Sequence, residues 1–167
     1  MISRRTLLGG AAALAASSLA GCASTKFRTY DGPPVTGVVL HKGPRRLYLL
    51  SGNTGLRAFD VELGSNPVGP KRIEGDGRTP EGAYMIDRRN PNSEYYLSVG
   101  ISYPNAQDLA YAQALGAPPG GDIFIHGTPR DKRRSRDWTA GCIAVTNREI
   151  EDIYAMVPDG TPIFINP

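Results

Sequence analysis

The segment 122–147 holds one histidine, His126, and one cysteine, Cys142, sixteen positions apart. His126 ends an apolar run at 123–125, which predicts a short buried strand. A second apolar run at 143–145 follows Cys142. Two strands that leave a glycine-rich junction can bring a thiol and an imidazole side by side. Because that arrangement is the nucleophile and base of cysteine acyl-transfer enzymes, Cys142 is our candidate nucleophile and His126 our candidate general base.

The composition of this 167-residue chain is that of a single soluble domain. Its 20 glycines and 14 prolines favour a strand-rich, turn-rich fold over a helical bundle. The net charge is +3, but the first 22 residues contribute two arginines and no acid, so the remainder has 17 basic and 16 acidic residues. A near-neutral domain gives little support to nucleic-acid binding. Two histidines and one cysteine beyond the leader fall short of a zinc site, so we expect no metal ion and no cofactor.

Residues 1–22 have the features of an export signal. Arg4 and Arg5 precede an apolar run at 7–19 that ends in small residues. The run is too short and too rich in alanine and glycine to predict a permanent membrane span. The arginine pair resembles a twin-arginine signal. The Leu-Ala-Gly-Cys sequence that ends at Cys22 resembles the bacterial lipobox, and this resemblance implies a lipoprotein held at a membrane through lipid on Cys22.

The sequence after the leader predicts a tether and then a folded domain. Ala23 follows the candidate lipidation site, which favours the outer over the inner membrane by resemblance to lipoproteins of diderm bacteria. Residues 23–34 are polar and end in two prolines, as expected for a tether. Residues 35–167 are the predicted domain, in which Cys142 is the only thiol. A lone thiol in an oxidising compartment favours a catalytic role.

The apolar patterning predicts a mainly β domain of short strands with two helices. The loop at 64–82 is rich in glycine and proline and is long enough to suggest a function. Thr146 and Glu149 form a capping-box pattern at the start of the second helix. The first helix is expected at 105–115, and strands are expected near 38–41, 47–50, 56–63, 83–87, 95–101, 123–125, 143–145 and 162–166.

Three motifs then occur in order: GDGRTPEGAYMID at 75–87, GGDIFIHG at 120–127 and TAGCIAVTN at 139–147. Together they resemble the YkuD-type L,D-transpeptidases, and most of all the YafK-like branch, over about residues 35–166. The resemblance implies a YkuD-like β-sandwich catalytic domain that acts on peptidoglycan stem peptides. It also implies a place in the cell envelope, on the periplasmic face of a membrane.

The resemblance assigns roles around the candidate pair. Cys142 attacks the carbonyl between the third and fourth residues of a tetrapeptide stem, and His126 acts as base and then as acid. The backbone carbonyl of Gly127 orients the imidazole. The amides of Ala140, Gly141 and Cys142 can form an oxyanion hole, which needs only backbone N–H groups.

Residues just before the cysteine are candidate substrate ligands. Arg134 and Arg136 can bind carboxylates, Trp138 can form a wall of the pocket, and Thr139 lies next to the nucleophile turn. In the preceding loop, Arg78 and Glu81 suggest a mutual or capping ion pair that holds the loop near the site.

Two positions depart from the family pattern. Ala140 replaces a histidine, and Ala144 replaces a polar residue two places after the cysteine. These changes leave open whether an amine or water resolves the thioester. The leading prediction is a monomeric L,D-transpeptidase that crosslinks or exchanges at diaminopimelate. One alternative is a cysteine-dependent hydrolase that releases a group or protein from diaminopimelate, and the other is a lipoprotein that binds peptidoglycan without catalysis.

Overall fold

The computed structural model of the protein describes residues 25–167. The predicted export signal and its candidate lipidation site, Cys22, lie outside the described residues. Within residues 25–167, no helix is both long enough and apolar enough to cross a membrane.

Residues 25–167 form a mainly β fold with two α-helices, as the sequence predicts. The described elements include one short 3₁₀ turn at Arg130–Lys132. The helices are α1 (Ala106–Ala114) and α2 (Asn147–Met156). The strands are β1 (Gly37–His41), β2 (Arg46–Ser51), β3 (Thr54–Asp60), β4 (Gly82–Asn90), β5 (Ser98–Ile101), β6 (Phe124–His126), β7 (Ile143–Ala144) and β8 (Pro162–Asn166).

The described strands pair in the order β3-β2-β1-β8-β4-β5-β6-β7. Strand β4 belongs to both halves of this sheet: its first residues pair with β8 and its last residues pair with β5, with an irregularity between Ile86 and Arg88. The two ends of the sheet then meet, because Glu62 and Ala144 exchange backbone hydrogen bonds of 2.9 and 2.8 Å. The sheet is therefore curled, and the predicted fold class is confirmed.

The core fills the inside of the curled sheet, and α2 covers part of it. Ile150 and Ile153 of α2 are fully buried. The predicted capping box at its start is present, with the amide of Glu149 donating to the hydroxyl of Thr146 and the Glu149 carboxylate accepting from the Thr146 amide. The core side chains with no solvent exposure are mostly aliphatic and include Val38, Leu40, Leu47, Leu49, Leu63, Ile86, Leu97, Val99, Ile101, Ile125, Ile143 and Ile163.

Among the strands whose bounds differ from the sequence prediction are those expected at 56–63 and 95–101. The strand expected at 56–63 is β3, Thr54–Asp60, because the chain after it leaves β2 and turns toward β7. The strand expected at 95–101 begins only at Ser98, since Tyr96 has a φ of 80° and closes a turn. This turn places Tyr95 beside the candidate histidine, as described below.

The described part of the predicted tether contacts the domain. Arg28 forms ion pairs of 2.6 Å with both Glu151 and Asp152 of α2. Lys26 donates to the carbonyl oxygen of Tyr96 at 3.2 Å. These contacts connect the segment before β1 to the same turn that carries Tyr95.

Candidate active site

Strands β6 and β7 bring the candidate nucleophile and base onto one face of the sheet. His126 pairs with Ala144 in a parallel ladder, and the same register, continued one residue before β7, sets Phe124 beside Cys142. Because side chains alternate along a strand, Phe124, His126 and Cys142 share a face. A rise of about 3.3 Å per residue and a strand spacing of about 4.8 Å put the Cα atoms of Cys142 and His126 about 8 Å apart, within reach of a side-chain contact.

The imidazole of His126 is buried and oriented by its own chain. Only 3% of the residue is exposed, and Nδ1 lies 2.7 Å from the carbonyl oxygen of Gly127. A carbonyl can only accept, so Nδ1 carries the proton and Nε2 of the neutral ring is left as an acceptor. Burial lowers the pKa of His126, against the opposing effect of the Gly127 hydrogen bond. The ring is therefore a neutral base near pH 7.

Two aromatic side chains enclose this imidazole. Tyr95 stacks on His126 with ring centroids 4.5 Å apart and an interplanar angle of 25°. Trp138 meets His126 edge-on at 5.7 Å, and its indole nitrogen is buried without a hydrogen-bond partner among the described residues. Sequence reasoning anticipated Trp138 as a wall but missed Tyr95. Because Tyr95 lies in a turn between the first and second motifs, far in sequence from His126, no sequence signal indicated its contact with the histidine.

The thiol of Cys142 donates to the carbonyl oxygen of Asp122 at 3.4 Å rather than to the imidazole. Burial raises the pKa of the Cys142 thiol, and the neighbouring Asp122 charge acts in the same direction. The backbone N–H of Phe124 and the charges of Lys71 and Arg88 oppose this effect. With the thiol pKa raised and the imidazole pKa lowered, the resting pair is a neutral thiol and a neutral imidazole.

The turn before Cys142 is held by one hydroxyl. The Thr139 hydroxyl donates to the Cys142 carbonyl at 2.7 Å and accepts from the Gly141 amide at 3.1 Å. Of the three amides expected in the oxyanion hole, that of Gly141 is therefore already bonded inside the turn, while those of Ala140 and Cys142 have no backbone partner among the described residues. Gly141 itself has a φ of 138°, and a Cβ there would lie 2.6 Å from the carbonyl oxygen of Arg78.

Asp137 holds the residues just before this turn against the rest of the domain. Its carboxylate accepts from the guanidinium of Arg45, with a shortest distance of 2.6 Å, and from the amide of Leu63 at 3.1 Å. Its own amide donates to Glu62 at 2.7 Å. Although burial opposes it, the Arg45 pair and the Leu63 amide hold the pKa of Asp137 below its usual range. Sequence reasoning missed this anchor, since Arg45 and Asp137 are 92 positions apart.

The GDGRTPEG loop is organised internally by Asp76. Its carboxylate accepts from the amides of Arg72 at 2.7 Å and Arg78 at 3.0 Å, and from the buried ammonium of Lys71 at 3.0 Å. Burial raises the pKa of Asp76, but these hydrogen bonds outweigh it and bring the pKa below the ordinary value. The loop thus has a defined shape where it passes behind Gly141.

Lys42 fastens the same loop to the sheet. Its ammonium, on a side chain only 3% exposed, donates to Glu81 at 2.8 Å and to the carbonyls of Gly69 at 2.6 Å and Thr79 at 2.9 Å. The expected pair between Arg78 and Glu81 is wrong, because Glu81 turns toward the interior cation. The Nε of Arg78 is buried without a partner among the described residues.

The candidate substrate ligands are distributed unevenly. Trp138 and Thr139 lie at the site, while Arg134 and Arg136 are exposed on the loop after the 3₁₀ turn and form no ion pair within residues 25–167. A cavity of about 760 Å³ lies between this loop and the start of α2, with Arg133 among its lining residues. Its lining does not include the candidate thiol or imidazole.

Solved structures identify the fold class as that of L,D-transpeptidases. An L,D-transpeptidase from Mycobacterium smegmatis matches with a TM-score of 0.53 over 78% of this chain and 58% of its own, at 15% identity. The helical cell shape determining protein Pgp2 from Campylobacter jejuni matches with a TM-score of 0.62 over 81% of this chain and 49% of its own, at 27% identity.

The chain belongs to the YkuD family of L,D-transpeptidase catalytic domains, whose family model matches residues 36–165. YafK of Escherichia coli strain K12, which is named as an L,D-transpeptidase, is 34% identical over 114 residues. That match covers 67% of this chain but 41% of YafK, so the chain spans about two fifths of the length of this curated relative. The family expected from the three motifs is confirmed.

Proposed function

We propose that this protein is a peptidoglycan L,D-transpeptidase that acts through a thioester on Cys142. Membership of the YkuD family supports the reaction class. The observation that carries the proposal is the placement of Cys142 and His126 on one face of adjacent strands, with Nδ1 of the imidazole held by the Gly127 carbonyl. Nε2 is then the nitrogen available to the thiol.

The first half-reaction transfers the donor peptide to sulfur. The thiol rotates from the Asp122 carbonyl toward Nε2 of His126, which accepts its proton as sulfur attacks the carbonyl between the third and fourth stem residues. A C–S bond forms, and the oxyanion is stabilised by the amides of Ala140 and Cys142. The intermediate collapses with cleavage of the C–N bond, and His126 returns the proton to the departing D-Ala amine.

The second half-reaction resolves the thioester. The amine of an acceptor stem attacks the thioester carbonyl and loses a proton to His126. The new C–N bond forms as the C–S bond breaks, and the sulfur takes the proton back. The Gly127 carbonyl accepts from Nδ1 throughout, so it supports the imidazolium that forms in each half-reaction. General-base catalysis of this kind contributes about 10²–10⁴-fold to the rate.

We assign the substrate contacts to two places, the candidate site itself and the exposed loop that carries Arg134 and Arg136. Trp138 and Tyr95 offer apolar surface beside the base, and Thr139 acts on the substrate only through the turn that it holds. Arg134 and Arg136 are exposed and can bind the carboxylates of diaminopimelate or D-Ala on an approaching stem peptide. This assignment predicts a larger loss of activity on replacing Trp138 than on replacing either arginine.

We also propose that the domain works in the cell envelope, on the periplasmic side, held at the outer membrane by lipid on Cys22. Arg28 forms an ion pair with α2, and Cys22 lies six positions before it in the chain. At no more than about 3.6 Å per residue, an anchor on Cys22 lies within about 22 Å of Arg28. Metabolic labelling with a fatty-acid analogue tests this: label that persists in Cys22→Ala contradicts the anchor.

The deciding experiment incubates muropeptides with the wild type, with Cys142→Ala and with Arg46→Gln as a surface control, followed by mass spectrometry. New crosslinked or D-amino-acid-exchanged products, absent only with Cys142→Ala, support transpeptidation. Products that depend on the cysteine but are only shorter move the assignment to hydrolysis. If the wild type leaves all wall substrates unchanged, the catalytic proposal is overturned and a binding role is the better interpretation.

A further inference from the structure

A row of paired residues crosses the sheet toward the candidate thiol. Arg88 of β4 pairs with Gly100 of β5, and Gly100 pairs with Phe124 of β6. Phe124 is in turn the neighbour of Cys142 in the extended register of β6 and β7. Directly paired residues share a face of the sheet, so the arginine side chain lies on the same face as the thiol.

The absence of a side chain at Gly100 leaves room for the side chain of Arg88. A Cβ at position 100 would lie 2.5 Å from Cγ and 2.9 Å from Cζ of Arg88. With only hydrogen there, the Arg88 side chain lies flat across β5, and its Cζ is 4.4 Å from the centroid of the Phe124 ring. A guanidinium stacked on an aromatic face keeps its edge N–H groups free for planar acceptors.

The partners of this guanidinium mark a carboxylate position. Nη2 of Arg88 lies 3.3 Å from a carboxylate oxygen of Asp122, whose side chain is 93% exposed. The backbone carbonyl of this same Asp122 accepts the Cys142 thiol at 3.4 Å. An ion pair so exposed contributes little, and the Asp122 carboxylate is therefore readily replaced at Nη2. The remaining partner, Asp87, occupies Nη1 at 2.8 Å.

We propose that Arg88 binds a carboxylate of the donor peptide at the position now taken by the Asp122 carboxylate, next to Cys142. This inference rests on the proposed function, which supplies the donor. Two carboxylates of a tetrapeptide lie within one residue of the attacked carbonyl: the free carboxylate of diaminopimelate and the terminal carboxylate of D-Ala. The first stays on the thioester, and the second leaves with the amine. Both offer the planar, bidentate acceptor that a guanidinium prefers.

The test compares three donor peptides: one with both carboxylates free, one amidated on diaminopimelate and one amidated on the terminal D-Ala. The kcat/KM of the wild type should fall by about 10- to 100-fold for one of the amides, which identifies the carboxylate. Arg88→Gln should lose a similar factor on the free peptide and no longer distinguish it from that amide. Arg46→Gln, an arginine of similar exposure paired with Asp60, should behave as the wild type.

Gly100→Ala provides a second variant in which the guanidinium is kept but its path is blocked, and it should lose the same discrimination. If Arg88→Gln distinguishes the amides as the wild type does, the inference is wrong. Binding of the three peptides to Cys142→Ala, measured by calorimetry, separates the two proposals. If Cys142→Ala prefers a carboxylate and this preference vanishes when Arg88→Gln is added, while the wild type turns over none of the peptides, the subsite is supported and the transpeptidase is overturned. If the wild type turns the peptides over but Cys142→Ala shows no preference for either carboxylate, the transpeptidase is supported and the subsite is overturned.

Discussion

Lys42→Met is the perturbation for which the structure predicts the clearest loss of stability. Methionine keeps an unbranched apolar side chain in the space of the Lys42 stem but removes its ammonium. Three oxygens lose their donor at once: the Glu81 carboxylate and the carbonyls of Gly69 and Thr79. All three belong to the segment that passes behind the turn at Gly141, so the variant loosens the wall of the candidate site as well.

The expected loss of unfolding free energy follows from the burial of the ion pair between Lys42 and Glu81. Removing one partner of a buried ion pair costs about 3–5 kcal/mol, because the other charge is left without compensation. The Glu81 side chain keeps 17% exposure and can draw in water, which places the cost near the lower end, about 3 kcal/mol. In a domain of this size, such a loss lowers Tm by about 10 °C.

Urea and thermal unfolding of the purified protein, followed by circular dichroism, measure this cost. The double variant Lys42→Met/Glu81→Gln should recover part of the lost stability, because it also removes the Glu81 charge that Lys42→Met leaves without a partner. Arg46→Gln breaks an ion pair with Asp60, whose side chain is 84% exposed, and should cost less than about 1 kcal/mol. A Lys42→Met variant as stable as Arg46→Gln would refute the reasoning, as would a double variant less stable than Lys42→Met.

Four further predictions concern the candidate site. Gly141→Ala should lower kcat by about 100-fold or more, because its Cβ would lie 2.6 Å from a loop carbonyl and displace the oxyanion donors; a folded, active variant contradicts this. Tyr95→Ala should lower kcat by about 2- to 12-fold through lost stacking on His126, while Tyr95→Phe keeps the wild-type rate; equal rates for the two variants would be inconsistent with a stacking role. Because burial lowers the pKa of His126, the imidazole stays neutral as the pH falls, so the acid limb of kcat/KM should lie below about pH 6.5, the ordinary histidine value. Because burial raises the pKa of Cys142, its alkylation by iodoacetamide should still increase above about pH 8.5; a rate that levels off below that value argues against a neutral resting pair.

Several features of the fold could be predicted because they depend on neighbours in the chain. The capping box of Thr146 and Glu149 needs only four consecutive residues, and it is present as expected. The final strand, 162–166, follows a turn-forming segment and has the predicted bounds. The family, too, is indicated by three short motifs. The resemblance extends over about residues 35–166, and the family model matches residues 36–165.

Other features depend on residues that only folding brings together. Glu81 was expected beside Arg78, three positions before it, and instead pairs with Lys42, 39 positions away. The site face likewise includes Tyr95 and Arg88, which precede the two site motifs and carry no local signal. Arg88 reaches this face through the register of a curled sheet, and a shift of one residue in its strand would turn its side chain to the opposite face.

By itself, the amino-acid sequence determined which reactive groups are present, a single thiol after residue 22 and a histidine at the end of an apolar run, together with the short elements that carry them. Only the tertiary structure decided what those groups experience. The parallel register of β6 and β7 brings Cys142 and His126 to one face, and the Gly127 carbonyl selects the tautomer of the imidazole. Burial then moves the pKa values of the two groups apart, because desolvation disfavours the charged form of each, and desolvation is a property of the packed fold.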